Sequence, residues 1–339
     1  MKKTDNELIK QSRLLIMGVA AIWIMLFHST IEIPLKGITF FNKIGYLGVD
    51  IFMFMSGFSM HHSFTKTCNR NSKIFIKKRI ARIVPIFIPF ALLWWVGYIL
   101  KNYPTKELLV GAMHTKDFWI TMLIFRWFIP CICFCYIITP LINLVINKIG
   151  HTYKSLFILI IPAIILSFLF LGRSSVALMI LLRIPEYVIG YYYAGDKEKR
   201  TNVYYRMFIL LAGVLVYYCL LKEYSDIFLN EYGLYWYPAI FLTSSMVICL
   251  GKIFTAIKSR IITFIGEKSL EVYLWHFYIL FPVEDFLKNR EIQFDKYNII
   301  VNLLVIALTL IVALIYSKLI NKIMSLYKKK RKRHVENCG

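Results

Sequence analysis

Acidic side chains are scarce: 19 Asp and Glu stand against 41 Lys and Arg in 339 residues. Charged residues of either sign reach only 18%, whereas soluble domains carry about 25%. With 58% of the chain hydrophobic, there is too little charge to clothe a soluble globule. The seven cysteines form no disulfide framework. Cys131, Cys133 and Cys135 stand at spacing two on a predicted helix, so they diverge rather than converge on a metal, and packing accounts for them. No metal site is read from the sequence. No internal repeat argues for a transporter built from duplicated halves, and no polar stretch is long enough to fold as a separate soluble domain.

What the chain does have is long apolar runs, each near the roughly 20 residues that cross a bilayer core. Ten are read, at about 14–33, 44–62, 84–100, 118–141, 155–171, 175–194, 207–221, 237–251, 264–283 and 297–317. The expectation is an all-α, polytopic membrane helical bundle of about ten transmembrane helices with both termini cytoplasmic. It divides into a cytoplasmic N-terminus (1–13), a membrane domain (14–320) and a basic cytoplasmic tail (321–339). No small-residue cleavage site follows the first run, so that run is expected to stay as a span. In this orientation most Lys and Arg fall in inner loops, as the positive-inside rule requires. The net charge of +22 is then mainly a topology signal. The tail Lys328-Lys329-Lys330-Arg331-Lys332-Arg333 is matched to anionic lipid headgroups rather than nucleic acid. The inner loop 63–83 is expected to hold an interfacial helix, because Phe75 to Arg82 alternates apolar and basic faces.

Within the apolar runs a few polar residues stand out. Asp50 sits in Gly48–Met60, expected about two turns below the start of its span, and an intramembrane carboxylate needs a partner or a polar cavity. His28 lies near the end of the preceding span. At about 1.5 Å per residue both are expected some 7–9 Å below the outer face. A carboxylate that orients an imidazole and raises its basicity is one way to activate a hydroxyl; a His satisfied by a carbonyl and a helix-bridging Asp is the alternative. Arg79 and Arg82, at i and i+3 on the inner side, share a face on which two guanidiniums can grip one anion such as a phosphorylated cofactor; a plain positive-inside anchor is the competing reading. Arg126 and Arg183 fall within spans. Arg183 and Glu186, also at i and i+3, are expected to form a local ion pair, with a longer-range pairing of Arg126 or Arg183 with Asp50 as the other option. Ser269, Glu271, Tyr273 and His276 lie in the ninth span, where Tyr273 and His276 share a face. His61, His62, His114, His151 and His334 receive no role.

Taken together, several of these segments resemble the acyltransferase-3 family of integral membrane acyltransferases. The matching pieces are Leu26-Phe27-His28; Gly48-Val49-Asp50 with Ser56-Gly57-Phe58; Arg79-x-x-Arg82 with Pro85; Trp127-Phe128; Arg183-Ile184-Pro185-Glu186 with Gly190; and Ser269 through His276. They occur in family order and cover nearly the whole chain. The resemblance implies a ten-helix core in a bacterial plasma membrane. That core moves an acyl group, most often acetyl, from cytoplasmic acyl-CoA to a hydroxyl of a surface glycan or lipid-linked glycan. No permanently bound cofactor is implied; acetyl-CoA or another acyl-CoA is the donor substrate. His28 would be the catalytic histidine, with Asp50 beside it, and Arg79 and Arg82 would help hold the donor. Oxyanion stabilisation is needed as well, with Ser56 or Tyr273 as candidates. One position departs from the pattern. The family commonly places an Arg eleven residues before the histidine, where this chain has Met17. Arg13 lies one turn nearer the cytoplasm, which lengthens the rise to His28 from about 16 Å to about 22 Å, and it is the candidate to take that role. A rival from another class is a glycan exporter without chemistry, since intramembrane His, Asp, Glu and Arg also line transport paths.

Overall fold

A computed structural model of the chain describes residues 3–29, 36–115, 127–171, 175–196, 199–223, 237–289 and 298–337. Among these residues the fold is built from helices with no strand. They are α1 (Asp5–His28), α2 (Lys36–Lys43), α3 (Leu47–His62), α4 (Ser72–Asn102), α5 (Lys106–Met113), α6 (Phe128–Ile149), α7 (Tyr153–Phe168), α8 (Ser175–Gly195), α9 (Val203–Glu223), α10 (Tyr237–Ala256), α11 (Arg260–Glu267), α12 (Ser269–Asn289) and α13 (Asn298–Asn337). Among the described residues six stretches are long and apolar enough to cross a membrane: α1, α4, α6, α10, residues Val176–Gly195 of α8 and Ile300–Leu326 of α13. Two further apolar helices, Tyr153–Phe168 and Val203–Cys219, are shorter.

Several helix bounds differ from those expected from hydropathy. The first helix begins at Asp5 rather than 14 and ends at His28 rather than 33. Its start is a capping box: Thr4 N–H donates to the Glu7 carboxylate at 2.9 Å while Glu7 N–H donates to Thr4 Oγ1 at 3.3 Å. Polar residues of the first turns are also satisfied from afar. Asn6 Nδ2 donates to the Ala194 carbonyl at 2.9 Å, and Asp5 accepts from both the backbone N–H and the hydroxyl of Thr201. Hydropathy cannot see such partners. The helix expected as a separate interfacial element in loop 63–83 is instead the start of the unbroken α4, which runs on through Pro85 and Pro89. The ninth expected span is two helices, α11 and α12, parted at Lys268. The fourth span's opening residues, with Arg126, lie outside the described residues.

The chain divides into two compact units, one of residues 1–27, 35–77 and 126–267, the other of 28–34, 78–125 and 268–339. In the first unit α3 and α8 touch backbone to backbone. A Cβ on Gly57 would overlap the Tyr187 carbonyl oxygen, and one on Gly190 would overlap that of Phe54. Small residues at such crossings let membrane helices approach closely. Gly57→Ala or Gly190→Ala is expected to wedge the pair apart at a cost of about 1–3 kcal/mol. The check is apparent thermal unfolding of the detergent-purified protein; a variant melting with wild type would remove this contact from the account. Nearby, Thr139 and Tyr187 hydroxyls meet at 2.6 Å and Tyr191 Oη donates to Asn143 Oδ1 at 3.1 Å, so the polar groups of α6 and α8 satisfy one another.

In the second unit α12 is gripped by α4 and α13. Phe90 packs edge-on against Trp275 and Tyr278, with centroids 5.3 and 5.5 Å away, and Trp275 meets Tyr316 at 5.4 Å. Tyr316 Oη donates to the Ile86 carbonyl, and Lys268 Nζ donates to Ser317 Oγ at 2.7 Å. Leu280, Val301 and Val305 close the apolar contact between α12 and α13.

Candidate active site

His28 is the last residue of α1 and is half-buried. Its ring meets two side chains of α12. The His276 centroid is 5.1 Å away with the planes tilted by 49°, and the Phe277 centroid is 4.4 Å away, edge-on. Phe277 also lies 4.2 Å from His276, so one phenyl ring braces both imidazoles. His276 is only 1% exposed, and its Nδ1 lies 2.6 Å from the Tyr273 carbonyl oxygen. A carbonyl only accepts, so Nδ1 carries a hydrogen and the neutral ring keeps its lone pair on Nε2. This hydrogen bond lies within the helix, at i to i−3, so α12 itself fixes the tautomer. Tyr273 and His276 share a face, as expected; the Tyr273 ring is 5.7 Å from the histidine.

Asp50 occupies the first turn of α3, one turn nearer the helix start than expected, because the residues before Leu47 form a turn. It is fully buried and accepts from Arg183 Nη1 at 2.5 Å. The guanidinium and the positive end of the α3 dipole both offset the cost of burying a carboxylate there. The local Arg183–Glu186 ion pair is therefore not formed: Arg183 reaches across from α8 to Asp50 instead of along its own helix. Glu186 is itself fully buried and interacts electrostatically with both Asp50 and Arg183. Neither of its carboxylate oxygens has a hydrogen-bond partner among the described residues.

The remaining candidates are more dispersed. Arg79 is half-buried and Arg82 exposed, one turn apart on α4. Arg13 and Met17 are both half-buried on α1, and Ser56 is half-buried on α3, six residues after Asp50. Within the second unit the structure thus brings together His28, Tyr273 and His276. Within the first it brings together Asp50, Arg183 and Glu186. The sequence reading missed Phe277, although the aromatic run Trp275–Tyr278 was a signal that this turn of α12 is packed on several sides. Among the described residues no three His, Cys, Asp or Glu side chains gather as metal ligands.

Comparison with known proteins adds one decisive match. A family model described as an acyltransferase domain matches residues 15–318, a stretch that includes every residue of both clusters. No curated protein and no solved structure matches significantly. A multi-pass helical architecture and a match over nearly its whole length together establish that this chain belongs to the acyltransferase-3 family of membrane acyltransferases.

Proposed function

We propose that the protein is a bacterial plasma-membrane O-acyltransferase with ten membrane passages and both termini inside. It transfers an acyl group, acetyl in the first instance, from cytoplasmic acyl-CoA to a hydroxyl of a surface polysaccharide or its lipid-linked precursor. The observation that carries this reading lies in the second unit. Along α4, Phe90 stands eight residues beyond Arg82, about 12 Å of helix rise, and packs on Trp275, the neighbour of His276. One helix therefore joins an arginine pair suited to donor phosphates with the level of the imidazole pair. An extended pantetheine arm can cover that distance.

In this reading Arg79 and Arg82 hold the phosphates of CoA. His28 takes the proton of the acceptor hydroxyl as that oxygen attacks the thioester carbonyl. Asp50, as the partner of Arg183, keeps α3 and α8 in register. Within the second unit Tyr273 is the candidate for the oxyanion. Arg82→Ala is expected to raise the KM for acetyl-CoA several-fold with little change in kcat, because an exposed phosphate contact binds ground and transition states alike. An unchanged KM removes that role.

The deciding experiment is proton NMR of base-labile acyl groups on purified surface polysaccharide from a deletion strain, with and without the restored gene. Loss of acyl signal on deletion and its return on complementation support transfer. A fall in exported polysaccharide with unchanged acyl content per sugar would make the protein an exporter.

A further inference from the structure

We propose that His276 is the positioning residue of the acyl-transfer site: it accepts a hydrogen bond from His28 and steadies the positive charge that His28 acquires. The inference rests on the acyl-transfer reading and deepens it. His28 needs a partner that orients its ring and stabilises the imidazolium, the part a carboxylate plays in a hydrolytic triad. In the second unit His276 is a polar side chain set against the His28 ring, 5.1 Å between centroids, a spacing that one water or a small rotation of either ring closes to a hydrogen bond.

Three features suit His276 to that part. Its Nδ1–H is committed to the Tyr273 carbonyl, which leaves Nε2 as the acceptor. It is 1% exposed, so its orientation is set by packing rather than by solvent. Phe277 lies against both rings and restrains their mutual position.

The proton inventory closes without an added reactant. The acceptor O–H bond breaks, its proton moves to one nitrogen of His28, and the oxygen bonds to the acyl carbon. The C–S bond then breaks, and the departing thiolate takes the proton back from His28 to leave as free CoA thiol. His276 gives up no proton in the cycle; it accepts from the other N–H of His28 throughout, most strongly while His28 is cationic.

The test uses the full chain in membrane vesicles from the deletion strain, open to [14C]acetyl-CoA, with label counted in the glycan fraction. His276→Asn keeps a donor for the Tyr273 carbonyl but removes the distal acceptor. His276→Phe keeps the ring volume and removes both nitrogens. With protein amount and apparent melting temperature matched to wild type, each variant is expected to lower the maximal rate about a hundredfold and to leave the KM for acetyl-CoA within about twofold. If Phe fails to fold, the milder Asn variant decides. Wild-type maximal rate in a folded variant, or a loss confined to KM, overturns the role of His276 while acyl transfer stands. If wild-type vesicles move no label from acetyl-CoA, the acyl-transfer reading falls and this inference with it.

Discussion

Vesicles carrying His28→Ala are expected to transfer acetyl groups at about 10⁻² to 10⁻⁴ of the wild-type rate, the range lost when a positioned general base is removed. The fold should survive the change. His28 is the terminal residue of α1 and half-buried, so truncation opens no large cavity, and alanine is the best helix former. The ring does contact Phe277 and His276, so a small drop in melting temperature accompanies the loss of rate. The informative comparison is KM. A base acts on the bound complex, so kcat should collapse while the KM for acetyl-CoA barely moves. Normal acylation of surface glycan by a His28→Ala strain at wild-type protein level would remove His28 from the chemistry.

Arg183→Met is expected to destabilise the first unit by about 3–5 kcal/mol, because it strands a fully buried carboxylate without its counter-charge. Asp50→Leu should do comparable damage from the other side. The double variant, Asp50→Leu with Arg183→Met, should recover much of the loss, since apolar pairs of similar volume often replace buried ion pairs without penalty. Glu186 sharpens the test. With Arg183 gone, two buried acidic side chains remain near one another, so Glu186→Gln should partly rescue Arg183→Met. Urea or thermal unfolding of the four proteins reads the coupling directly. Additive losses in the double variant would mean that the two side chains do not act as a pair.

Much of this organisation was legible in the sequence, for physical reasons that can be named. Hydropathy runs report the bilayer because lipid punishes exposed polar groups wherever the chain is read. Asp50 announced a need for a partner by its isolation among apolar residues, and His28 was marked by its place in the family order. Which side chain answers Asp50 was another matter. A local Glu186 three residues from Arg183 looks like the cheaper partner until tertiary packing brings α3 against α8. The start of α1 at Asp5 was hidden for the same reason, since Asp5 and Asn6 are polar in sequence yet satisfied by Thr201 and Ala194. The break at Lys268 falls in Gly266-Glu267-Lys268-Ser269, a polar turn signal that an apolar run averaged over twenty residues conceals. His276 looked like a lone buried histidine, and only the fold shows it beside His28.

The Asp50–Arg183 bond spans 133 positions of the chain, which sets a schedule for biogenesis. Helix α3 leaves the ribosome long before α8 exists. At about 5–20 residues per second the carboxylate waits on the order of ten seconds for its guanidinium. During that interval α3 carries a carboxylate without its counter-charge, and its packed place in the fold waits for α8. A nascent chain arrested before Arg183 should therefore remain crosslinkable to the translocon through α3, whereas one arrested beyond α8 should not.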